Sequence, residues 1–373
     1  MKSKVKGLSK KALRQFLHVF WLFPIRKKKI IFICYDGTQY SCNPKYVAEY
    51  LITNKIDFDV YFAYKNEVTR KQMIEGIHPV KLNRPSFFYH ILTSGTVLTN
   101  TNIRDYIPLR KSQILFNTWH GAALKGMPKL KVDYNRTDFF VAENKLTHQV
   151  IASPIGMDYH GKILDYGMPR NDILINHPLD LIRATKDKLQ INPEVKILMY
   201  APTFREGDSD YLNINLSGVA EELRKRTKCD WIILYRLHHF QKGKIKLENG
   251  IDVTNYPDMQ HLLLIADVLI TDYSSTMWEM SLMNKPVFLY TPDIKRYLET
   301  ERTAFFYPFE ELPFPRACDN DHLLAIINEF DENKYKVDLA EYHRRMGEFE
   351  CEGNSTKLLV DVIIKEIKAS CIL

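Results

Sequence analysis

The chain has 373 residues, of which 45% are hydrophobic and 26% charged, and this composition is typical of a globular protein with room for two domains. Its six cysteines include no Cys-x-x-Cys pair, so neither a zinc site nor a disulfide framework is indicated, and a reducing, cytosolic setting fits best. The net charge is +7, but ten Lys and Arg residues precede the first acid, Asp36. Because the basic charge is confined to one terminus, nucleic acid is not the expected partner.

The first 28 residues predict a basic amphipathic helix. Its apolar side chains recur at i, i+3, i+4 and i+7, at Leu13, Phe16, Leu17 and Phe20. The apolar run at 19–23 is far shorter than the ~20 residues of a membrane span, and no cleavage site of a signal peptide follows it. Basic residues around an aromatic face attract anionic lipid headgroups. We therefore predict that residues 1–23 bind an anionic membrane surface, the alternative being a surface helix docked on its own domain.

From Lys29 onward short β-rich runs alternate with helical segments, which predicts α/β architecture with doubly wound parallel sheets. The predicted strands of the first half lie at 30–35, 58–64, 80–82, 96–98, 113–116 and 139–142, with helices such as 44–53 and 144–151. The best linker candidate is 175–193. The second half predicts strands at 196–200, 231–235, 268–271 and 287–290, and helices near 220–226, 259–265 and 274–283.

Two Rossmann-like domains facing a cleft are therefore expected. The first covers 29–175 and the second covers 190–350. Residues 351–373 contain a closing helix, with Leu359, Val362, Ile363 and Ile367 on one face, that can return to the first domain.

One stretch, 267–283, predicts a buried strand that runs directly into a helix. The strand ends at Thr271-Asp272, Ser274 or Ser275 can cap the helix, and Glu279 lies one turn further. Hydroxyls and free N–H groups at a helix N-terminus favour an anion, and a phosphate is the obvious ligand. The alternative is that both serines only cap the helix.

Four more clusters of polar and aromatic residues follow strands, at the sheet edge where open α/β sheets bind ligands. They are Asn-Thr-Trp-His-Gly at 117–121, Gly-Met-Pro-Arg-Asn-Asp at 167–172, Tyr-Ala-Pro-Thr-Phe-Arg at 200–205 and Arg-Leu-His-His at 236–239. A histidine titrates near neutral pH, and an adjacent glycine lets a ligand approach the backbone. Each cluster alone is more often structural, but together they predict a phosphate-binding cleft.

The order of these motifs, completed by Gly-Asn-Ser-Thr at 353–356, resembles the CDP-glycerol glycerophosphotransferase family of teichoic acid synthesis over roughly residues 30–367. The resemblance implies a GT-B-like fold, in which the domain at 29–175 binds the acceptor and the domain at 190–350 binds the CDP-donor, and a peripheral protein on the cytoplasmic face of the membrane. It also implies transfer of glycerol phosphate from CDP-glycerol to a polyprenyl-diphosphate-linked acceptor, with release of CMP.

The resemblance further implies roles for single residues. The histidine that matches His120 is the proposed base, and the one that matches His238 is a second essential histidine in the donor site. The remaining predicted donor contacts are Arg205, Arg236, Asp272, Ser274, Ser275 and Glu279. Possible substrate contacts are Trp119, Gly121, Lys125 and Arg170. The alternative for His120 is a structural histidine that orders the loop at Trp119.

The chain departs from the family pattern in two places. Ala122 and Ala123 stand where Thr-Pro is usual, and His239 replaces a proline; both changes concern the identity of donor or acceptor more than the reaction. The chain is little longer than the catalytic region, which favours a primase or a capsule-type transferase.

Alternative functions are transfer of ribitol phosphate from CDP-ribitol, a GT-B glycosyltransferase that uses a nucleotide-sugar, and a non-catalytic nucleotide sensor. No cofactor is demanded, since neither a two-metal carboxylate cluster nor a Walker loop is visible, although Mg²⁺ on the donor diphosphate is compatible.

Overall fold

The computed structural model describes residues 2–121, 134–154, 156–203, 213–237, 250–300, 308–347 and 352–370. The chain forms two compact units. The first comprises Met1–His120, Lys129–Asp172 and Phe349–Leu373, and the second comprises Gly121–Pro128 and Ile173–Glu348. The N-terminal segment and the C-terminal helix thus both belong to the first unit, and the linker candidate at 175–193 lies within the second.

A parallel sheet of seven strands forms the centre of the first unit. Its strands are β1 (Arg26–Ile33), β2 (Asp59–Tyr64), β3 (His78–Lys81), β4 (Ser94–Thr99), β5 (Ile114–Asn117), β6 (Phe139–Ala142) and β7 (Lys162–Asp165). They lie in the order β3-β2-β1-β4-β5-β6-β7. Because β2 and β4 flank β1 on opposite sides, the chain reverses its direction across the sheet between β1 and β4.

The second unit contains a parallel sheet of six strands. Its strands are β8 (Lys196–Tyr200), β9 (Trp231–Tyr235), β10 (Ile251–Asp252), β11 (Val268–Thr271), β12 (Val287–Tyr290) and β13 (Arg316–Ala317). They lie in the order β10-β9-β8-β11-β12-β13, which places the reversal between β8 and β11. The two doubly wound sheets confirm the predicted α/β class.

Helices accompany both sheets. Those up to the unit boundary are α1 (Lys2–Leu17), α2 (Cys42–Thr53), α3 (Glu67–Lys71), α4 (Pro85–Thr93), α5 (Lys145–Ala152) and α6 (Asp172–Asn176). The later ones are α7 (Leu179–Lys188), α8 (Leu216–Thr227), α9 (Met259–Ile265), α10 (Thr276–Ser281), α11 (Ile294–Thr300), α12 (Asn320–Asn328), α13 (Glu332–Met346) and α14 (Ser355–Ser370).

Strand β1 shows why the first unit needs helices on both faces of its sheet. Successive side chains of a strand point to opposite faces. Ile30 and Phe32 accordingly join a core that includes apolar residues of α2 and α14, whereas Ile31 and Ile33 join a second core with Leu17 and apolar residues of α4. All four side chains are buried, so the second half of the strand, residues 30–33, is a continuous apolar run, as in parallel strands covered on both faces.

The N-terminal helix divides its predicted apolar stripe between two environments. Leu17 is buried in the first unit, and Leu13 and Phe20 pack partly against the same core. Phe16, by contrast, is 68% exposed, and Leu22 in the following 3-10 helix (His18–Leu22) is 83% exposed. One face of this segment is therefore docked on the first unit, as in the alternative that the sequence left open. A second apolar face remains exposed.

Candidate functional site

The reversal point of the first sheet brings three loops to one edge. In open α/β sheets, ligands bind at the carboxyl ends of the strands where the strand order reverses. Tyr35 follows β1, Asn100 follows β4 and Thr118 to His120 follow β5. Tyr35 and His120 contact each other edge to face with ring centroids 5.4 Å apart, and the backbone N–H of Tyr35 donates to the Asn100 side chain over 2.8 Å.

The hydrogen bond of His120 defines its tautomer. Its Nδ1 lies 2.7 Å from the carbonyl oxygen of Asn100. A carbonyl can only accept, so Nδ1 carries the hydrogen, and the neutral ring has its lone pair on Nε2. Burial lowers the pKa of His120, and the charge of Arg170 lowers it further against the opposing effect of the Asn100 carbonyl. The imidazole is therefore neutral at neutral pH, with Nε2 available as a base.

Asn43 and Arg170 hold the loop that carries His120. The Asn43 side chain is fully buried and donates to the carbonyls of Thr118, at 3.2 Å, and of Trp119, at 3.3 Å. Its oxygen accepts from the backbone N–H of Arg170 at 3.1 Å. Arg170 donates through Nη1 to the His120 carbonyl, at 2.9 Å, and to the sulfur of Cys42, at 3.1 Å.

The sequence predicted that the turn at 167–172 would display the Arg170 guanidinium, but the structure buries this side chain to 4% exposure. The reason is that the 3-10 turn Pro169–Asn171 packs against α2, which directs the guanidinium beneath the His120 loop. Arg170 therefore acts on His120 and does not face solvent.

Four residues around His120 other than glycine have a positive φ. They are Tyr35 (44°), Asp36 (52°), Cys42 (57°) and Trp119 (51°). Such a conformation costs of the order of 1–3 kcal/mol per residue and persists only where surrounding contacts enforce it. The clamps from Asn43 and Arg170 supply those contacts at Trp119, so this edge of the sheet is held in a specific, strained conformation.

Asp172 joins two motifs that lie far apart in the sequence. Its carboxylate accepts from the backbone N–H groups of Ser355, at 2.9 Å, and Thr356, at 2.8 Å, and so caps α14. The Thr356 hydroxyl also donates to the carbonyl of Pro169 at 3.2 Å. The motif at 353–356 thus supports the turn that contains Arg170.

In the second unit, the reversal point lies between the ends of β8 and β11. Asp272, which is 1% exposed, accepts from the backbone N–H of Thr203 at 2.9 Å and from its hydroxyl at 2.5 Å. Glu279 is also buried and accepts a hydrogen bond from Gln260. Both carboxylates, predicted as donor contacts, therefore have protein partners that link neighbouring loops and helices.

Ser274 and Ser275 lie at the start of α10, which has six residues and is shorter than the predicted 274–283. The Ser274 oxygen accepts from the backbone N–H of Thr276, at 3.3 Å, and from its hydroxyl, at 3.0 Å. Ser275 is the N-cap residue but makes no capping bond with its side chain. Both serines are half-buried, so the Ser275 hydroxyl and the hydrogen of Ser274 can serve a ligand.

The remaining predicted residues are placed as follows. Arg236 follows β9 and is half-exposed, and its backbone N–H donates to the Tyr200 carbonyl at 2.9 Å. Trp119 stacks at a tilt on His120 with centroids 4.4 Å apart, and Gly121 is the residue that follows His120. Lys125, Arg205 and His238 lie outside the described residues.

Sequence reasoning missed Tyr35, Asn43 and Asn100. Asn100 directly follows β4, and Asn43 lies in the first turn of α2 after β1, so both positions satisfy the same strand-end rule that selected His120. Neither asparagine lies in one of the four predicted clusters at strand ends, each of which contains a histidine or an arginine.

Within the described part of the chain, no group of three or more His, Cys, Asp and Glu side chains could bind a metal ion. The helices described also include none that is long and apolar enough to cross a bilayer.

A family model described as CDP-Glycerol:Poly(glycerophosphate) glycerophosphotransferase matches residues 15–365. The chain belongs to this family. It is 28% identical to a teichoic acid poly(glycerol phosphate) polymerase of Staphylococcus epidermidis over 92% of this chain and 51% of that protein. It is 27% identical to a protein of the same name from Bacillus spizizenii over 98% of this chain and all of that one. A teichoic acid ribitol-phosphate primase of B. spizizenii is 28% identical over 83% and 85% of the two chains.

Among solved structures, the wall teichoic acid polymerase TagF matches this chain with a TM-score of 0.82 and 26% identity, over 98% of this chain and 96% of that one. This match confirms the GT-B-like fold. The chain spans only about half the length of the S. epidermidis relative, whereas it spans the whole of the one from B. spizizenii.

Proposed function

We propose that this protein transfers a polyol phosphate, glycerol phosphate in the first instance, from a CDP-polyol to a hydroxyl of a polyprenyl-diphosphate-linked saccharide, releasing CMP. The acceptor oxygen bonds to the phosphorus that carries the polyol, the P–O bond to CMP breaks, and Nε2 of His120 takes the hydroxyl proton. The observation that carries the proposal is the Nδ1 bond of His120 to the Asn100 carbonyl, which makes Nε2 the basic nitrogen. Family membership supplies the donor class.

The experiment that tests this function compares nucleotides released in the presence of a lipid-diphosphate disaccharide. We expect release of CMP from CDP-glycerol, with CDP-ribitol as the second candidate because a ribitol-phosphate primase is among the relatives. Faster turnover of UDP-sugars would establish the glycosyltransferase alternative instead. Binding of CDP-glycerol without any turnover would establish the nucleotide sensor.

We propose that no cofactor is required, with Mg²⁺ at the donor diphosphate as the alternative. Phosphoryl transfer depends mainly on positioning and charge neutralisation, which arginine and hydroxyl groups can supply. Turnover of CDP-glycerol in excess EDTA, measured beside turnover in Mg²⁺, decides between the two.

Ser274 and Ser275 are proposed to contact a donor phosphate. Replacing both with alanine is expected to raise the dissociation constant for CDP-glycerol at least ~100-fold, because each of the two lost hydrogen bonds to a charged group contributes ~1.5 kcal/mol. Isothermal titration calorimetry measures this change, with the exposed Ser217→Ala as the matched control. Unchanged affinity in the double variant would place the phosphate site elsewhere.

We propose that the protein works at the cytoplasmic face of the membrane and that residues 1–23 attach it there. The supporting observation is the exposed apolar face formed by Phe16, Val19, Trp21, Leu22 and Phe23 beside the basic N-terminal residues. Such an arrangement favours an anionic lipid surface. Attachment would let a lipid-linked acceptor meet a soluble donor.

Deleting residues 1–23 is expected to abolish flotation with anionic liposomes. Since Leu17 belongs to the core of the first unit, the sharper variant is Phe16→Ser combined with Leu22→Ser, which changes only exposed side chains. Val68→Ser, at 69% exposure, is the matched control. Flotation should also weaken as salt is raised, because the attraction is partly electrostatic. Equal flotation of the truncated protein would reject the proposal.

A further inference from the structure

A cavity of about 130 Å³ lies in the first unit where the strand order reverses. Ile33 and Asp36 line it from the end of β1, and Leu82 and Asn83 line it from the end of β3. The segment after β4 closes it with residues 102–104 and 106–107. The cavity therefore occupies the sheet edge at which doubly wound folds bind ligands.

Two residues that line this cavity are close in sequence to residues that contact His120. Asp36, which lines the cavity, directly follows Tyr35, whose ring touches the imidazole. On the other side, Asn102 lines the cavity two residues beyond Asn100, whose carbonyl accepts from His120 Nδ1. The side chain of Asn100 also accepts from the Tyr35 backbone, so a hydrogen bond joins the two segments that carry Asp36 and Asn102.

The rim and the floor of the cavity differ in chemistry. Asp36 and Arg104 form an ion pair at 2.8 Å, and both side chains are about half-exposed, which places them at the mouth. Asn83, Asn102 and Tyr106 add groups that both donate and accept hydrogen bonds. The floor is apolar and includes the buried side chains of Ile33, Phe87 and Ile107.

This combination selects a neutral, hydroxyl-rich group. Hydroxyls can donate to the Asp36 carboxylate and accept from the Arg104 guanidinium, while the C–H face of a polyol or sugar covers the apolar floor. The Asp36–Arg104 pair has no net charge with which to attract a phosphate, and a lipid chain would leave the amides without partners. A cavity of about 130 Å³ has room for several water molecules, and so for a small group such as one glycerol unit or one sugar ring.

We propose that this cavity binds the terminal hydroxylated unit of the acceptor and presents its hydroxyl to His120. The inference rests on the proposed transferase function, and it locates the binding site for the end of the acceptor that reacts. The terminal unit has two possible sources, a saccharide and the glycerol end of an already attached glycerol phosphate, and the test uses both.

The kinetic test uses Asp36→Asn and Arg104→Met with saturating CDP-glycerol, and with two acceptors that end in a sugar or in glycerol phosphate. We expect the KM for the acceptor that fills the cavity to rise about tenfold, as for the loss of one hydrogen bond to a charged group, while the donor KM is unchanged. Arg70→Met is the matched control, since it breaks an equally exposed ion pair, with Glu67, in the same unit. Unchanged KM for both acceptors, or a rise in donor KM alone, would overturn the proposal.

A second measurement separates this cavity from the transferase function. Saturation-transfer NMR on the full chain should detect binding of glycerol or of methyl N-acetylglucosaminide. Ile103→Trp should block this binding by filling the cavity, and Arg70→Met should leave it intact. Thermal unfolding of each variant checks its folding. If Ile103→Trp blocks binding but the wild-type protein turns over no CDP-polyol, the binding site is supported and the transferase function is rejected. Equal signals for wild type and Ile103→Trp would reject the site.

Discussion

Replacing His120 with alanine is expected to lower turnover by at least ~100-fold while the affinity for CDP-glycerol stays nearly intact. An alcohol is a poor nucleophile at neutral pH, and general-base assistance contributes ~10² to 10⁴-fold. The Asn100 carbonyl holds the hydrogen on Nδ1 and leaves Nε2 basic, so the ring is prepared for this step. Because the interaction is made mainly in the transition state, turnover should change and ground-state donor binding should not.

The matched control is His160→Ala, which removes an exposed histidine from the same unit. His238 is the competing candidate for the base, and we assign it to donor binding because Arg236 and His239 next to it form a cationic setting suited to phosphate. His238→Ala should accordingly raise the donor dissociation constant. Near-normal turnover of His120→Ala at saturating donor and acceptor, or loss of folded protein as its only defect, would contradict the role of His120.

Wherever a strand is a short apolar run between polar residues, the sequence predicted its bounds. This holds for β6, β8, β9, β11 and β12, whose observed limits equal the predicted ones. The three missed strands, β7, β10 and β13, have two to four residues, lie at the sheet edges and are not uniformly buried. Such strands owe their place to pairing with a neighbour, which one sequence does not show.

The location of the candidate site followed from the strand-end rule, but the roles of its side chains did not. Arg170 was predicted as a substrate contact and Asp272 and Glu279 as donor contacts, yet each is buried and bonded within the protein. The side-chain partners described above lie between 19 and 128 residues away along the chain. Only the assembled sheet brings these partners together, so residue type alone could not separate a ligand contact from a structural one.

The N-terminal segment shows that, for a helix too, the sequence does not identify the neighbours of a side chain. Its stripe of Leu13, Phe16, Leu17 and Phe20 predicted one apolar face, and periodicity alone does not say which neighbour covers it. In the structure Leu17 is buried against the first sheet while Phe16 remains exposed. A single helical stripe can therefore serve the protein core and an exposed surface together.

Arg170→Met is expected to reduce turnover between ~10- and 100-fold, because it removes a buried hydrogen bond from a charged group to the His120 carbonyl. It should also shift the pH dependence. Neutral His120 is the active form, so activity falls as the pH drops through its pKa, which burial and the Arg170 charge hold below the ordinary value. Without that charge the pKa rises, and the acid limb of the pH–rate profile moves to higher pH.

Two further variants separate the charge of Arg170 from its structural role. Arg170→Lys keeps the charge but lacks the planar guanidinium, so its acid limb should stay close to that of the wild type while turnover is reduced. Arg110→Met removes a guanidinium that donates to the carbonyls of Trp21, Phe23 and Leu92 in the same unit, and it should lower the melting temperature without moving the limb. If Arg170→Met lowered the melting temperature and left the limb in place, Arg170 would be a structural residue only. If the acid limb moves in Arg170→Met but not in Arg170→Lys or Arg110→Met, Arg170 both positions His120 and keeps it neutral.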